Sequence, residues 1–153
     1  MTQNRYDPTS NAQKSELLSA EVMPRILLAE DDEEMRRLLV QALCVAGYEV
    51  IQCRDGMEFM GHLESFILDR TRLDFKLIIS DILMPGLTGL EIFEDLHDFE
   101  GFPPMILITA FGDESTHRKA KQLGAAAMFD KPFDVSELLA KVHELLPTLP
   151  FLR

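Results

Sequence analysis

The stretch RILLAEDDEEMRRLLVQALCVAGYEVIQC, residues 25–53, decides the fold. It begins with a short apolar run, Ile26–Ala29, and ends with another, Glu49–Cys53. Between these runs, apolar side chains recur at helical spacing until Gly47, a residue type that suits the end of a helix. The stretch therefore predicts a strand, a helix and a second strand, which is the repeating unit of a parallel sheet. The apolar positions of the predicted helix are Met35, Leu38, Leu39, Ala42, Leu43 and Ala46.

The same alternation of short apolar runs and helical patterns continues towards the C-terminus. Because strands joined by helices pair in parallel through right-handed crossovers, the predicted fold class is α/β, a doubly wound five-stranded parallel sheet with helices on both faces. We expect the strand order 2-1-3-4-5 of a flavodoxin-like three-layer sandwich. The further predicted strands are Leu77–Ser80, Met105–Ile108 and Ala126–Phe129, and the further predicted helices are Met57–Asp69, Thr88–Phe99, Glu114–Leu123 and Val135–Leu146.

Length and charge indicate one globular domain between two short flanking segments. Residues 24–147 are predicted to form the domain, residues 1–22 a flexible polar leader and residues 148–153 a short tail. Asp and Glu number 26 against 15 Lys and Arg, and this net charge of −11 argues against direct nucleic-acid binding. No apolar run approaches the ~20 residues of a membrane span, and the start is not of the signal-peptide type. We therefore expect no membrane insertion and a cytoplasmic location.

Cysteine and histidine are not expected to form a metal or redox site. Cys44 and Cys53 lie in apolar segments, which is typical of two reduced thiols in a core. The histidines lie on predicted helices without the spacing of metal ligands: His62, His97, His117 and His143.

Polar residues follow the strands that flank the switch point of the predicted sheet. Ligands of such sheets bind at the carboxyl ends of the strands, near the place where the strand order reverses. We therefore expect these residues to share one rim, whereas the second, edge strand ends in a plain Asp55-Gly56 turn. The rim residues are Glu30, Asp31 and Asp32 after the first strand, Asp81 after the third, Thr109 and Ala110 at the fourth, and Lys131 and Pro132 after the fifth.

The residue types at this rim suit phosphoryl chemistry. The carboxylates of Glu30, Asp31 and Asp81 would repel one another at short range, and a hard divalent cation would relieve the repulsion. Oxygen ligands without His or Cys favour Mg²⁺, with Mn²⁺ as the alternative. The Asp81 carboxylate is a competent nucleophile towards phosphorus, while Lys131 supplies a point charge and the Thr109 hydroxyl a hydrogen bond. The sequence thus predicts a Mg²⁺-dependent phosphorylation site.

Four motifs in this order resemble the signatures of response regulator receiver domains, the CheY-like superfamily. They are LAEDD (residues 28–32), SDILMPG (80–86), LITA (107–110) and KPF (131–133). The resemblance implies a two-component signalling switch that catalyses only its own phosphorylation and dephosphorylation. It implies a sensor histidine kinase or a histidine phosphotransfer protein as the phosphodonor. We favour a stand-alone receiver, with a receiver separated from its output domain as the alternative.

The resemblance also implies roles for individual residues. Asp81 is the implied phosphoacceptor, and Glu30, Asp31 and Asp81, with the backbone carbonyl of Leu83, are the implied metal ligands. Thr109, Ala110 and Lys131 would stabilise the phosphoryl group, and the peptide bond before Pro132 would be cis. Output would run through the fourth helix, fifth strand and fifth helix to a protein target or a separate output domain. A phosphorylation-dependent homodimer stays open as an alternative.

Three positions set this sequence apart from the usual pattern. Met128 stands where similar proteins have Tyr or Phe, so the switch position is atypical. Leu83 and Phe111 lie two places after Asp81 and Thr109, where a polar side chain could orient the hydrolytic water. Since neither can hydrogen-bond water, we predict slow loss of the phosphoryl group; the alternative is that both only pack at the rim.

Two other classes of protein compete with this interpretation. A phosphatase of the haloacid dehalogenase type also uses a strand-end Asp with Mg²⁺, but it needs a second Asp two residues later, where Leu83 stands. A constitutive interaction module would have the same fold without being phosphorylated, and the intact acidic pocket argues against it.

Overall fold

The computed structural model describes residues 23–69 and 74–148. The predicted leader, 1–22, and all but the first residue of the predicted tail therefore lie outside the described residues. Strands and helices alternate through the described ranges. The strands are β1 (Arg25–Ala29), β2 (Glu49–Cys53), β3 (Phe75–Asp81), β4 (Met105–Thr109) and β5 (Ala127–Asp130), and the helices are α1 (Glu33–Val45), α2 (Gly56–Leu68), α3 (Gly89–Leu96), α4 (Glu114–Leu123) and α5 (Val135–Leu145).

All strand pairs are parallel, and the strand order is β2-β1-β3-β4-β5. The predicted fold class and strand order are confirmed. In register, Ala29 lies beside Ser80, and Asp81 lies beside Ile108. The carboxyl ends of the three central strands therefore meet at one edge of the sheet, which is where the rim residues lie.

The core consists of two layers, one on each face of the sheet. Because side chains alternate along a strand, Leu27 and Ala29 of β1 enter one layer, while Ile26 and Leu28 enter the other. Buried residues of α2, α3 and α4 cover the first face, and those of α1 and α5 cover the second. This explains why the strands are nearly continuous apolar runs, as expected for a sheet buried on both sides.

Two predictions about α1 are wrong. Leu38, assigned to the apolar stripe, is 48% exposed, and Cys44, assigned to the core, is exposed. The cause is a narrow contact face, because α1 buries only Arg36, Leu39 and Leu43 against the sheet. Leu38 and Cys44 lie on either side of this buried contact face. Cys53 on β2, by contrast, is buried as predicted.

The ends of the elements follow local chemistry. The predicted helix Thr88–Phe99 begins one residue later and ends at Leu96. Thr88 is its N-cap and forms a capping box with Glu91. The other predicted strands and helices differ from the observed bounds by at most two residues. Within the described ranges, no helix has the length and apolar character needed to cross a membrane.

Candidate functional site

Three carboxylates meet at the carboxyl edge of the sheet. Glu30 and Asp31 follow β1, and Asp81 is the last residue of β3, the neighbouring strand. Their ligand oxygens all lie within 4.8 Å of one another. Glu30 is fully buried, Asp81 is nearly so, and Asp31 is exposed. The cluster is therefore a pocket with one open side.

Lys131 reaches this pocket from the end of β5, the edge strand beyond β4. Its ammonium nitrogen Nζ lies 2.7 Å from Asp81 Oδ2 and 3.0 Å from Glu30 Oε1. Its backbone N–H donates to the carbonyl of Thr109 at 2.7 Å, which ties the end of β5 to the end of β4. The Lys131–Pro132 peptide bond is cis. One cation thus contacts two of the three carboxylates.

The electrostatics of the pocket leave a surplus of negative charge. Burial, and next the neighbouring Asp81 carboxylate, raise the pKa of Glu30 to about 7, against the hydrogen bond and charge of Lys131. Burial alone would lower the pKa of Lys131, but its hydrogen bonds and charge contacts with Asp81 and Glu30 raise it. Three carboxylates share one ammonium, so a further cation would be stabilised here.

The donor atoms fit a hard divalent cation. Glu30 Oε2 is buried and has no hydrogen-bond partner, although its other oxygen accepts from Lys131 and from the Asp32 N–H. A buried, unpaired carboxylate oxygen is costly unless a cation or proton meets it. The backbone N–H of Leu83 donates to Asp81 Oδ1 at 3.0 Å, which brings the Leu83 peptide to the cluster. Oxygen ligands of this kind suit Mg²⁺.

Two supporting residues were not predicted from the sequence. Arg36 is buried and donates to the backbone carbonyl of Glu30 at 3.0 Å and to Gln52 Oε1 at 3.3 Å. The sequence signal that could have revealed the burial of Arg36 is its helical spacing with Leu39 and Leu43, the apolar residues that α1 buries. Gly89 allows α3 to begin directly against Asp81, because a Cβ there would lie 2.5 Å from the Asp81 carbonyl oxygen. Both residues fix the backbone that presents the carboxylates.

The end of β4 and the loop that follows it contain three further predicted site residues. Thr109 is buried, and its hydroxyl oxygen accepts a hydrogen bond from the Phe111 N–H at 3.1 Å. Ala110 is exposed, and Phe111 is 80% exposed. Leu83 lies on the adjacent loop and is 48% exposed. The rim beside the carboxylates therefore presents two large apolar side chains to solvent.

The atypical Met128 lies away from the carboxylates. It is half-buried and packs against the core layer on the α4 side of the sheet. It also lines a groove of about 420 Å³ between α4 and β5. The groove's polar and charged lining residues are Glu114, His117, Arg118 and Lys121.

Comparisons with known proteins agree with this geometry. Residues 26–143 match the family model described as the response regulator receiver domain. The chain is 32% identical over 127 residues to protein PetR of Rhodobacter capsulatus, covering 83% of this chain and 50% of PetR. It is 30% identical to sporulation initiation phosphotransferase F of Bacillus subtilis, covering 80% of this chain and 94% of that protein.

A solved structure gives the same result in three dimensions. The chemotaxis response regulator CheY4 of Vibrio cholerae superposes with a TM-score of 0.69 at 28% identity, covering 82% of this chain and all of that one. The chain spans about half the length of several curated relatives it matches, PetR among them.

Proposed function

The chain belongs to the response regulator receiver domain family, and from that premise we propose that it is switched by transfer of a phosphoryl group to Asp81. Members of this family are phosphorylation-dependent signalling domains of two-component systems. The observation that supports Asp81 is its position: a nearly buried carboxylate 2.7 Å from Lys131 and beside two further carboxylates. A nucleophile for phosphorus needs this combination of a fixed carboxylate and cations for the incoming charge.

The proposed reaction is a single displacement at phosphorus. An Asp81 carboxylate oxygen forms the new P–O bond while the P–N bond of a phosphohistidine breaks, and the electron pair of that bond stays on the imidazole nitrogen. Lys131 neutralises charge on the transferred group, while Thr109 and the Ala110 backbone are the proposed hydrogen-bond donors. Mg²⁺, or alternatively Mn²⁺, would be held by Glu30, Asp31, Asp81 and the Leu83 carbonyl, and when bound it supplies positive charge for the phosphoryl oxygens.

Receiver domains interact with histidine kinases or histidine phosphotransfer proteins, and we propose one of these as the donor. The proposed output surface is the face formed by α4, β5 and α5. The groove of about 420 Å³ at Met128 supports this choice, since it provides a concave contact surface on that face. Residues 24–147 are the proposed signalling unit, located in the cytoplasm.

Labelling with acetyl phosphate tests the proposal. Asp81→Asn is expected to abolish the covalent phosphate that hydroxylamine releases, because an amide is not a nucleophile at this site. The matched control is Asp95→Asn, which changes an exposed carboxylate on α3 and should leave labelling unchanged. Labelling of Asp81→Asn at the wild-type rate would refute the assignment. In the wild type, rapid turnover of acetyl phosphate would indicate a phosphatase instead of a receiver. Absence of labelling would indicate an interaction module that is not phosphorylated.

A further inference from the structure

Apolar packing attaches α4 only weakly to the rest of the domain. Ala120 is its one buried residue, and Leu123 is only partly buried against the same layer. By contrast, α2 buries Gly56, Phe59, Leu63 and Phe66. A buried Ala contributes little apolar area, so polar contacts have a large share in deciding where α4 lies on the sheet.

An ion pair and a hydrogen bond connect side chains of α4 to its neighbours. Lys119 Nζ lies 2.7 Å from Glu94 Oε2 on α3. On the other side, His117 Nε2 lies 2.8 Å from Oδ1 of Asp130, the last residue of β5. With its proton on Nε2, the His117 ring donates a hydrogen bond to this carboxylate. Asp130 directly precedes Lys131, so this hydrogen bond attaches α4 next to the proposed phosphorylation site.

The loop after β4 packs directly on the His117–Asp130 pair. A Cβ at Gly112 would lie 2.7 Å from His117 Nε2 and 2.8 Å from the Thr109 methyl group, and it would overlap Asp130 Oδ1. A glycine is therefore needed at position 112, because any side chain there would collide with these three residues. The Thr109 methyl group and the His117–Asp130 pair therefore surround the same space, the one that a Gly112 side chain would occupy. A displacement of Thr109 towards Asp81 would thus be transmitted to that pair.

We propose that the His117–Asp130 pair is a latch that holds α4 in the arrangement seen here and opposes the rearrangement that accompanies phosphorylation of Asp81. This rests on the proposed function. While the pair is closed, the Gly112 segment of the loop lies against both the pair and Thr109, and the Thr109 hydroxyl accepts a hydrogen bond from the Phe111 N–H of the same loop. Opening the pair frees the loop and the first half of α4 to move together. His117 and Asp130 act as positioning residues, because neither contacts the carboxylate cluster in the described part of the chain.

The proposed latch predicts the direction of a mutational effect. A substitution that destabilises the closed arrangement should favour the arrangement that accompanies phosphorylation. His117→Ala and Asp130→Ala are each expected to lower the beryllofluoride concentration for half-saturation by about two- to fivefold, the range for a partly exposed pair. Fluorine NMR of the bound anion measures this concentration. The double variant should shift it no further than either single variant, since each change already opens the latch.

Arg118→Ala is the matched control. It removes a cation from the same helix whose partner, Glu114, lies on that helix, so it should leave half-saturation unchanged. A merely structural role for His117 would lower the melting temperature without tightening beryllofluoride binding. Unchanged or weaker binding in His117→Ala, additive effects in the double variant, or an equal shift in Arg118→Ala would each overturn the latch. Failure of the wild type itself to bind beryllofluoride would overturn the proposed function as well.

Discussion

Burial changes the chemistry of single side chains in this protein. At Glu30 it raises the pKa to about 7 and leaves one oxygen without a hydrogen-bond partner. At Cys53 it raises the pKa of the thiol to about 12, assisted by the charges of Glu58 and Asp55. In both groups burial disfavours the charged form, but of the two only Glu30 has a cation, Lys131, within hydrogen-bond distance. The position of that cation distinguishes the proposed metal ligand from the buried thiol.

The two cysteines should therefore differ sharply towards alkylating reagents. The thiolate is the reactive form, and with a pKa of about 12 Cys53 has only ~10⁻⁴ of its thiol ionised at pH 8. We expect iodoacetamide to modify the native protein once, at exposed Cys44, and the unfolded protein twice. Intact-mass measurement gives the count, and Cys44→Ser should reduce native labelling to none. Modification of Cys53 in the folded control variant would contradict the buried position of this thiol.

Two apolar residues at the rim are expected to slow loss of the phosphoryl group. Leu83 and Phe111 are both exposed and lie two residues after Asp81 and Thr109, and neither can orient a water behind the phosphorus. Leu83→Asn and Phe111→Glu should each shorten the lifetime of phosphorylated Asp81 by about tenfold, equivalent to ~1.4 kcal/mol in the barrier. Phosphate release from labelled protein at fixed Mg²⁺ measures the lifetime. Leu87→Asn, which changes another exposed leucine on the loop after β3, is the control. Lifetimes as long as that of the wild type in both variants would show that these residues only pack.

Sequence reasoning located residues whose place depends on where a strand ends. Asp81 and Lys131 each follow an apolar run after one intervening residue, so their position at the rim follows from the topology alone. Arg36 and Gly89 were missed because their roles depend on how α1 and α3 approach the sheet, which periodicity does not specify. Cys44 was misplaced for the same reason, since an apolar segment does not reveal how narrow the face is with which its helix contacts the sheet.

At the scale of elements, capping chemistry was more predictable than packing. Thr88 and Asp134 are of residue types that favour the N-cap position, and both cap their helices. The strength with which each helix is held depends on contacts that are distant in sequence. The ion pair of α4 with Glu94 and its hydrogen bond with Asp130 join it to residues on other elements, and the spacing of residues within α4 does not indicate them.

The difference in attachment predicts a difference in mobility between α4 and α1. Beryllofluoride should change the hydrogen exchange of α4 amides, residues 114–123, because few buried contacts oppose its rearrangement. The amides of α1, which buries Leu39 and Leu43, should change little beyond the first turn beside Asp31. Mass spectrometry of peptides after timed exchange compares the two helices directly. A change confined to α1, with α4 unaltered, would rule out the proposed output face.

At the scale of the whole molecule, acidic charge is concentrated in a fold that buries part of it. The net charge is −11, and the described residues contain a single cluster suited to a metal ion, at Glu30, Asp31 and Asp81. A cation could therefore stabilise the protein in two ways, by binding at this cluster or by screening the surface generally. The two effects differ in how they respond to single charge removals, because screening depends on the overall charge and binding on particular ligands.

Thermal unfolding with Mg²⁺ separates these effects. At a Mg²⁺ concentration ten times the dissociation constant, binding to the native state should add ~1.4 kcal/mol to the free energy of unfolding and raise the melting temperature by about 3–6 °C. Asp31→Ala should remove most of this increase, since Asp31 is the open side of the cluster and its loss leaves the buried core unchanged. Glu34→Ala is the matched control, because it removes an exposed charge of the same sign from the first turn of α1. NaCl at equal ionic strength measures screening alone. Equal increases in wild type, Asp31→Ala and Glu34→Ala would mean that Mg²⁺ only screens the surface, and the proposed metal ligands would then be wrong.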